Sequence, residues 1–124
     1  MGQTQNRILP ESEGKTLCIE IADRVSLENY TGILEPSVRK LIDQYGELNL
    51  LISYRPSFVG WDLDAAAQDL ETMTEIGGFA KKIALVNPPE RVLIRWQTLR
   101  PLLKGELKFY TDTEFDKALS WVKS

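Results

Sequence analysis

With 124 residues, 43% of them apolar and 27% charged, the chain has the composition of one ordinary folded domain, which excludes a disordered or fibrous protein. One cysteine, Cys18, and no histidine exclude disulfides, Cys/His zinc sites, Ser-His-Asp and Cys-His triads and imidazole acid–base chemistry. The net charge of −3 is unevenly spread: residues 1–80 hold 6 basic and 13 acidic side chains, residues 81–108 hold 7 and 2, and an asymmetry of this kind can mark a surface that meets an anion.

No apolar run reaches the ~20 residues that cross a bilayer, and no basic-then-apolar leader opens the chain. The opening MGQTQN misses a myristoylation site at Asn6, where Ser or Thr is wanted. A single domain over residues 1–124, disordered over 1–6 and located in the cytoplasm, is the expectation.

In chain order, residues 8–10 predict a short edge strand, since proline is tolerated at an edge. A polar turn at 11–14 leads to a second strand at 15–22, and the two read as a hairpin. Cys18 lies in its apolar run Leu-Cys-Ile, as a small buried thiol. Ser26 starts a helix whose apolar positions Leu27, Tyr30, Leu34, Val38, Leu41 and Tyr45 recur at helical spacing. Pro36 must kink or split it near residues 32–35, and Gly46 ends it.

Leu48–Tyr54 is nearly continuously apolar, the signature of a central strand. The loop SFVGWD follows. Asp62 then caps a helix running to about Ile76, with Asp64 favourable in its first turn and Leu63, Ala66, Ala67, Leu70 and Met73 as its apolar stripe. Gly77 and Gly78 stop it before a buried strand at 82–86. Pro88-Pro89-Glu90 opens a third helix that turns Val92, Trp96 and Leu99 inward and stops at Pro101. Glu106–Tyr110 is the last strand, and Thr111 with Glu114 forms a capping box for a final helix through Val122. The order β-β-α-β-α-β-α-β-α predicts an α/β fold: a mixed, mostly parallel sheet of about five strands with an antiparallel N-terminal edge and about four flanking helices.

Candidate chemistry is sparse. Without histidine, only carboxylates such as Asp62, Asp64 and Asp69 are left for acid–base work, and a helix cap with solvated charges explains them better. No G-x-G-x-x-G or Walker loop is present, and no cluster suits a divalent metal. The acidic total disfavours nucleic acid. Lys81, Lys82, Arg91, Arg95, Arg100, Lys104 and Lys108 form at most a local basic patch, with Arg91 and Arg95 on one helix face beside Trp96. Phe58 and Trp61 fall in a loop leaving the carboxyl end of a parallel strand, the usual binding crevice. There they either wall an apolar pocket between the second and third helices, with Met73, Trp96, Leu99 and Leu102, or simply cover the core's end.

Four stretches then carry a resemblance across nearly the whole chain: ILPESEGKTLCIEI with VSLENY, FVGWDLDAAAQDL, KKIALV, and GELKFYTDTEFDKALSWVK. As a set they are similar to the SpoIIAA-like family of small bacterial proteins, which share the STAS (anti-sigma-factor antagonist) fold. The resemblance implies a mixed sheet flanked by helices, dimers, no enzyme activity or cofactor, and binding of lipid-like or other apolar ligands near membranes. Phe58, Gly60, Trp61 and Asp69 fall on the family's motif. STAS regulators present a phosphorylatable serine in an Asp-Ser-Gly-like setting, which SYRPSFVGWD lacks, so sigma-factor phosphoregulation is not expected. Val86-Asn87-Pro88 replaces a Val-Gly-Asp turn frequent among relatives, and Tyr45 stands where a histidine is frequent.

The leading expectation is a non-catalytic module that takes an apolar or lipid-like ligand, with Phe58, Trp61, Met73, Trp96, Leu99 and Leu102 as its walls. Arg91 and Arg95 would then face an anionic membrane surface. The alternative is a protein–protein interaction or regulatory domain acting through a homodimer or partner.

Overall fold

The structure, a computed structural model, describes residues 6–124. Its strands are β1 (Asn6–Ile8), β2 (Thr16–Ile21), β3 (Arg24–Val25), β4 (Leu48–Tyr54), β5 (Gly60–Trp61), β6 (Ala80–Val86) and β7 (Glu106–Tyr110). Its helices are α1 (Leu27–Asn29), α2 (Glu35–Tyr45), α3 (Leu63–Ile76), α4 (Glu90–Leu99) and α5 (Phe115–Lys123). The main sheet runs β1-β2-β4-β6-β7, antiparallel between β1 and β2 and parallel elsewhere.

β4 lies in the middle because both its faces are apolar and both must be covered. Alternate residues serve opposite layers: Leu50 and Ile52 join Ile19, Ile21, Ile83 and Leu85 beneath α1–α4, whereas Leu51 joins Cys18, Ala84 and Val86 beneath α5. Register aligns these layers, with Leu51 opposite Cys18 on one side and Ala84 on the other.

Several boundaries differ from the expectation. The edge strand sits at Asn6–Ile8 rather than 8–10: the Leu9 N–H still bonds Cys18 O, but Pro10 has no N–H to continue the ladder. The disorder expected over 1–6 falls, for 1–5, outside the described residues, while Asn6 opens β1. β6 begins two residues early, at Ala80. β3 and β5 form a separate two-stranded parallel ribbon that nothing in the sequence announced.

The first helical stretch is split, as Pro36 requires. Ser26 Oγ accepts the Asn29 N–H at 3.1 Å to start α1, a π-helical turn follows at Tyr30–Leu34, and α2 resumes with Pro36 in its first turn. Asp62 stands at the start of α3 but makes no capping bond, and Asp64 Oδ1 accepts the Ala65 N–H instead. The capping box of Thr111 and Glu114 is present and leads through a short 3-10 turn into α5.

The largest correction concerns the phase of α3. Leu63 is 90% exposed, Leu70 is also exposed, and the buried positions are Ala65, Asp69, Thr72, Met73 and Ile76. The helix turns two polar residues inward, and both find partners there.

Candidate functional site

The loop after β4 is held from both ends. Phe58 N–H bonds Arg55 O, and the Phe58 ring packs edge-on against Tyr54 at 5.2 Å between centroids. Val59 N–H bonds Asp23 O, β5 pairs with β3, and Asp62 N–H bonds Val25 O. The ribbon thus fixes Trp61 as a lid residue. Gly60 has φ +132°, a conformation open to glycine, and an added Cβ would come within 3.3 Å of Arg91 Nη1.

Beneath that lid, between the sheet and helices α2, α3 and α4, lies a cavity of about 60 Å³. Its floor is apolar, made by Ile19, Ile21, Leu50, Ile52 and Ile83. Met73 and Ile76 descend from α3, Leu34 and Val38 come from the first helical stretch, and Trp96 comes from α4. Trp96 Nε1 donates to Tyr54 Oη at 3.4 Å, so the indole dipole is partnered.

The other polar groups lie where α3 meets its neighbours and tie it to both. Asp69 is the hub: its Oδ1 accepts from Tyr30 Oη at 2.8 Å, and its Oδ2 accepts from Arg95 Nη2 at 2.7 Å. Arg95 Nη2 also donates to Ala66 O at 3.0 Å, and the guanidinium lies 5.6 Å from the centre of the Trp61 ring. Trp61 in turn meets Tyr30 at 5.7 Å. On the other side, Thr72 Oγ1 donates to Glu35 Oε2 at 3.0 Å, which also accepts from Arg39 Nε, while Arg39 Nη2 reaches Glu75 Oε1 at 2.7 Å. One set links α3 to α4 and the other links it to α2.

Burial, followed by the charge of Asp69, pushes the Tyr30 hydroxyl far above its ordinary value. Burial does the same to Tyr54. Both phenols therefore stay neutral throughout the physiological range, Tyr30 donating to Asp69 and Tyr54 accepting from Trp96. A neutral tyrosine and a cationic arginine on one carboxylate leave its two oxygens satisfied, which is what a partly buried aspartate requires.

The residues picked from sequence fall into different places. Trp61, Met73 and Trp96 line the cavity. Phe58, Leu99 and Leu102 do not: Phe58 closes the core's end against Tyr54, Leu99 packs into the core from the end of α4, and Leu102 is exposed on the turn beyond it. That turn crosses Gly77, where a Cβ would stand 2.9 Å from Leu102 O. Arg91 is exposed, while Arg95 points inward into its ion pair. The seven basic residues do not make one patch. Lys81 lies near Glu47, Lys82 bonds the C-terminal Trp121 and Ser124, and Lys108 sits over the Trp121 ring on the α5 side. The cavity also lies under α3 and reaches α2, rather than between α3 and α4 alone. Tyr30, Glu35 and Thr72 were missed as wall residues. The available signal was the polar pair Asp69 and Thr72 at the spacing of Ala65, Met73 and Ile76.

Among the described residues, no group of three or more His, Cys, Asp or Glu side chains could hold a metal ion, and no helix is long and apolar enough to cross a membrane. The crystal structure of an uncharacterized protein with a SpoIIAA-like fold from Shewanella loihica PV-4, at 2.25 Å resolution, is similar with a TM-score of 0.73, 22% identity and coverage of 98% of both chains. No curated protein matches the sequence. The SpoIIAA-like family model matches residues 16–123, nearly the whole chain. The chain belongs to the SpoIIAA-like family, with the mixed-sheet fold expected of it.

Proposed function

We propose that this protein is a non-catalytic binding module for an amphipathic, lipid-like molecule with an anionic head, loaded at a membrane surface. The observation that carries this reading is a void with an apolar floor whose charged groups, Glu35, Asp69 and Arg95, cluster where α3 meets α2 and α4. An apolar tail would lie on Ile21, Leu50 and Ile83, and the head would meet Arg95. Arg95 spends Nη2 on Asp69 and Ala66, which leaves Nε and Nη1 to meet an anion from the Trp61 side.

At about 60 Å³ the void is well below the ~150 Å³ that accommodates benzene, so a ligand must lift α3 to enter. Lifting parts Asp69 from Arg95 and Thr72 from Glu35, and an anionic head compensates Arg95 for the loss. Outside the cavity, Leu63, Leu70, Ile94 and Val59 are exposed apolar side chains on α3, α4 and the loop before β5, with Arg91 exposed on α4. These side chains suit shallow contact with headgroups and acyl chains.

Co-sedimentation with vesicles containing anionic lipid tests the membrane part. The protein should pellet with them, and Arg91→Glu combined with Leu63→Ser should abolish this. Equal pelleting of both proteins, or of neither, contradicts it.

A further inference from the structure

β7 is an outer strand: it pairs with β6 alone, at the end of the sheet opposite β1. Its backbone phase follows from one contact and the register with β6. Asn87 N–H, just beyond β6, bonds Tyr110 O, so Glu106, Lys108 and Tyr110 turn their peptide groups toward β6. Leu107 and Phe109 therefore present N–H and C=O outward. The only described side chain with a hydrogen bond to that outer edge is Arg100, exposed, whose Nη2 stands 3.5 Å from Leu107 O.

The strand's side chains are self-complementary. Glu106 and Lys108 are exposed on the α5 face, carry opposite charge, and neither has an ion-pair partner among the described residues, although Lys108 also lies over Trp121. Phe109 is 39% exposed on the other face. We propose that β7 pairs antiparallel with β7 of a second copy about a two-fold axis at Leu107, extending the sheet across the dimer.

In that register Leu107 lies opposite the partner's Leu107, and the outward N–H and C=O groups of the two residues exchange bonds. Glu106 faces the partner's Lys108, and by symmetry Lys108 faces the partner's Glu106. Phe109 meets the partner's Gly105, where no side chain obstructs the ring. A shift of the axis to Lys108 sets the two lysines against each other, so charge selects the register. Edge pairing buries less area than a standard interface, and the dimer is therefore weak and concentration-dependent.

Sedimentation velocity on the full chain across a concentration series tests this. Wild type should move from monomer toward twice 14.1 kDa as concentration rises. Glu106→Lys or Lys108→Glu alone opposes like charges twice and should weaken the dimer by roughly tenfold or more. The double variant Glu106→Lys/Lys108→Glu restores both pairs and should restore association. These are exposed side chains, so folding should be unaffected, and far-UV circular dichroism checks it. A monomeric wild type, a dimer that tolerates either single change, or a double variant that fails to recover would each overturn the proposal. A dimer lost on Trp61→Ala but kept in the charge variants would place the interface at the lid instead.

Discussion

Asp69 concentrates the stability argument of the site in one side chain. Removing one partner of a partly buried charge pair costs more than the pair contributes, because the other charge is left unmatched. Asp69→Ala should therefore destabilise the fold by about 2–3 kcal/mol, whereas Asp69→Asn, which keeps the shape and one of the two acceptor oxygens, should cost somewhat less; urea denaturation separates the two. Tyr30→Phe removes one donor to the carboxylate and should cost about 1–2 kcal/mol. The pH dependence has a definite sign. Burial pushes the Cys18 thiol from 9.0 up to about 11 and raises Tyr30 and Tyr54 above their ordinary 10.0. In each case the folded chain keeps a proton that the unfolded chain releases. Their contribution is complete below about pH 9 and falls as pH rises through 11 and beyond. The thermal midpoint should drop steadily above pH 9, and Tyr30→Phe should flatten that drop.

At the scale of elements, α3 is the roof of the cavity and its phase is the feature to test. Leu63→Ser and Leu70→Ser should change stability by less than ~0.5 kcal/mol, while Met73→Ala, on the buried face, should cost about 2–4 kcal/mol. Equal losses on the two faces would mean that the helix is rotated from its described position. Most elements were legible because each rests on local chemistry. β4 reads as central from its apolar run, α4 from Val92, Trp96 and Leu99, and α5 from the Thr111 and Glu114 box. The phase of α3 was not legible. Leu63 and Leu70 look like core residues, and Asp69 and Thr72 are acceptable inside only because Tyr30, Arg95 and Glu35 arrive from 39, 26 and 37 residues away. No local pattern encodes such partners. β3 and β5 escaped notice for a different reason: at two residues each, they are too short to alternate.

For the whole molecule, the sheet divides the labour. α5 alone seals one face with a small core around Leu51 and Ala84, and that face contains no cavity residue. The other face carries a layer of helices, α2, α3 and α4, over the apolar floor, joined to each other by side-chain pairs. The proposed binding requires this asymmetry: α5 stays seated while α3 lifts from α2 and α4. Native mass spectrometry after incubation with a long-chain fatty acid reads out whether the proposed amphipathic ligand enters the space beneath α3. One fatty acid per chain is the predicted result, with retention lowered by Arg95→Gln and abolished by Ala80→Leu, which fills the cavity from the sheet side. No adduct on wild type, or an adduct that Ala80→Leu leaves unchanged, would contradict the account.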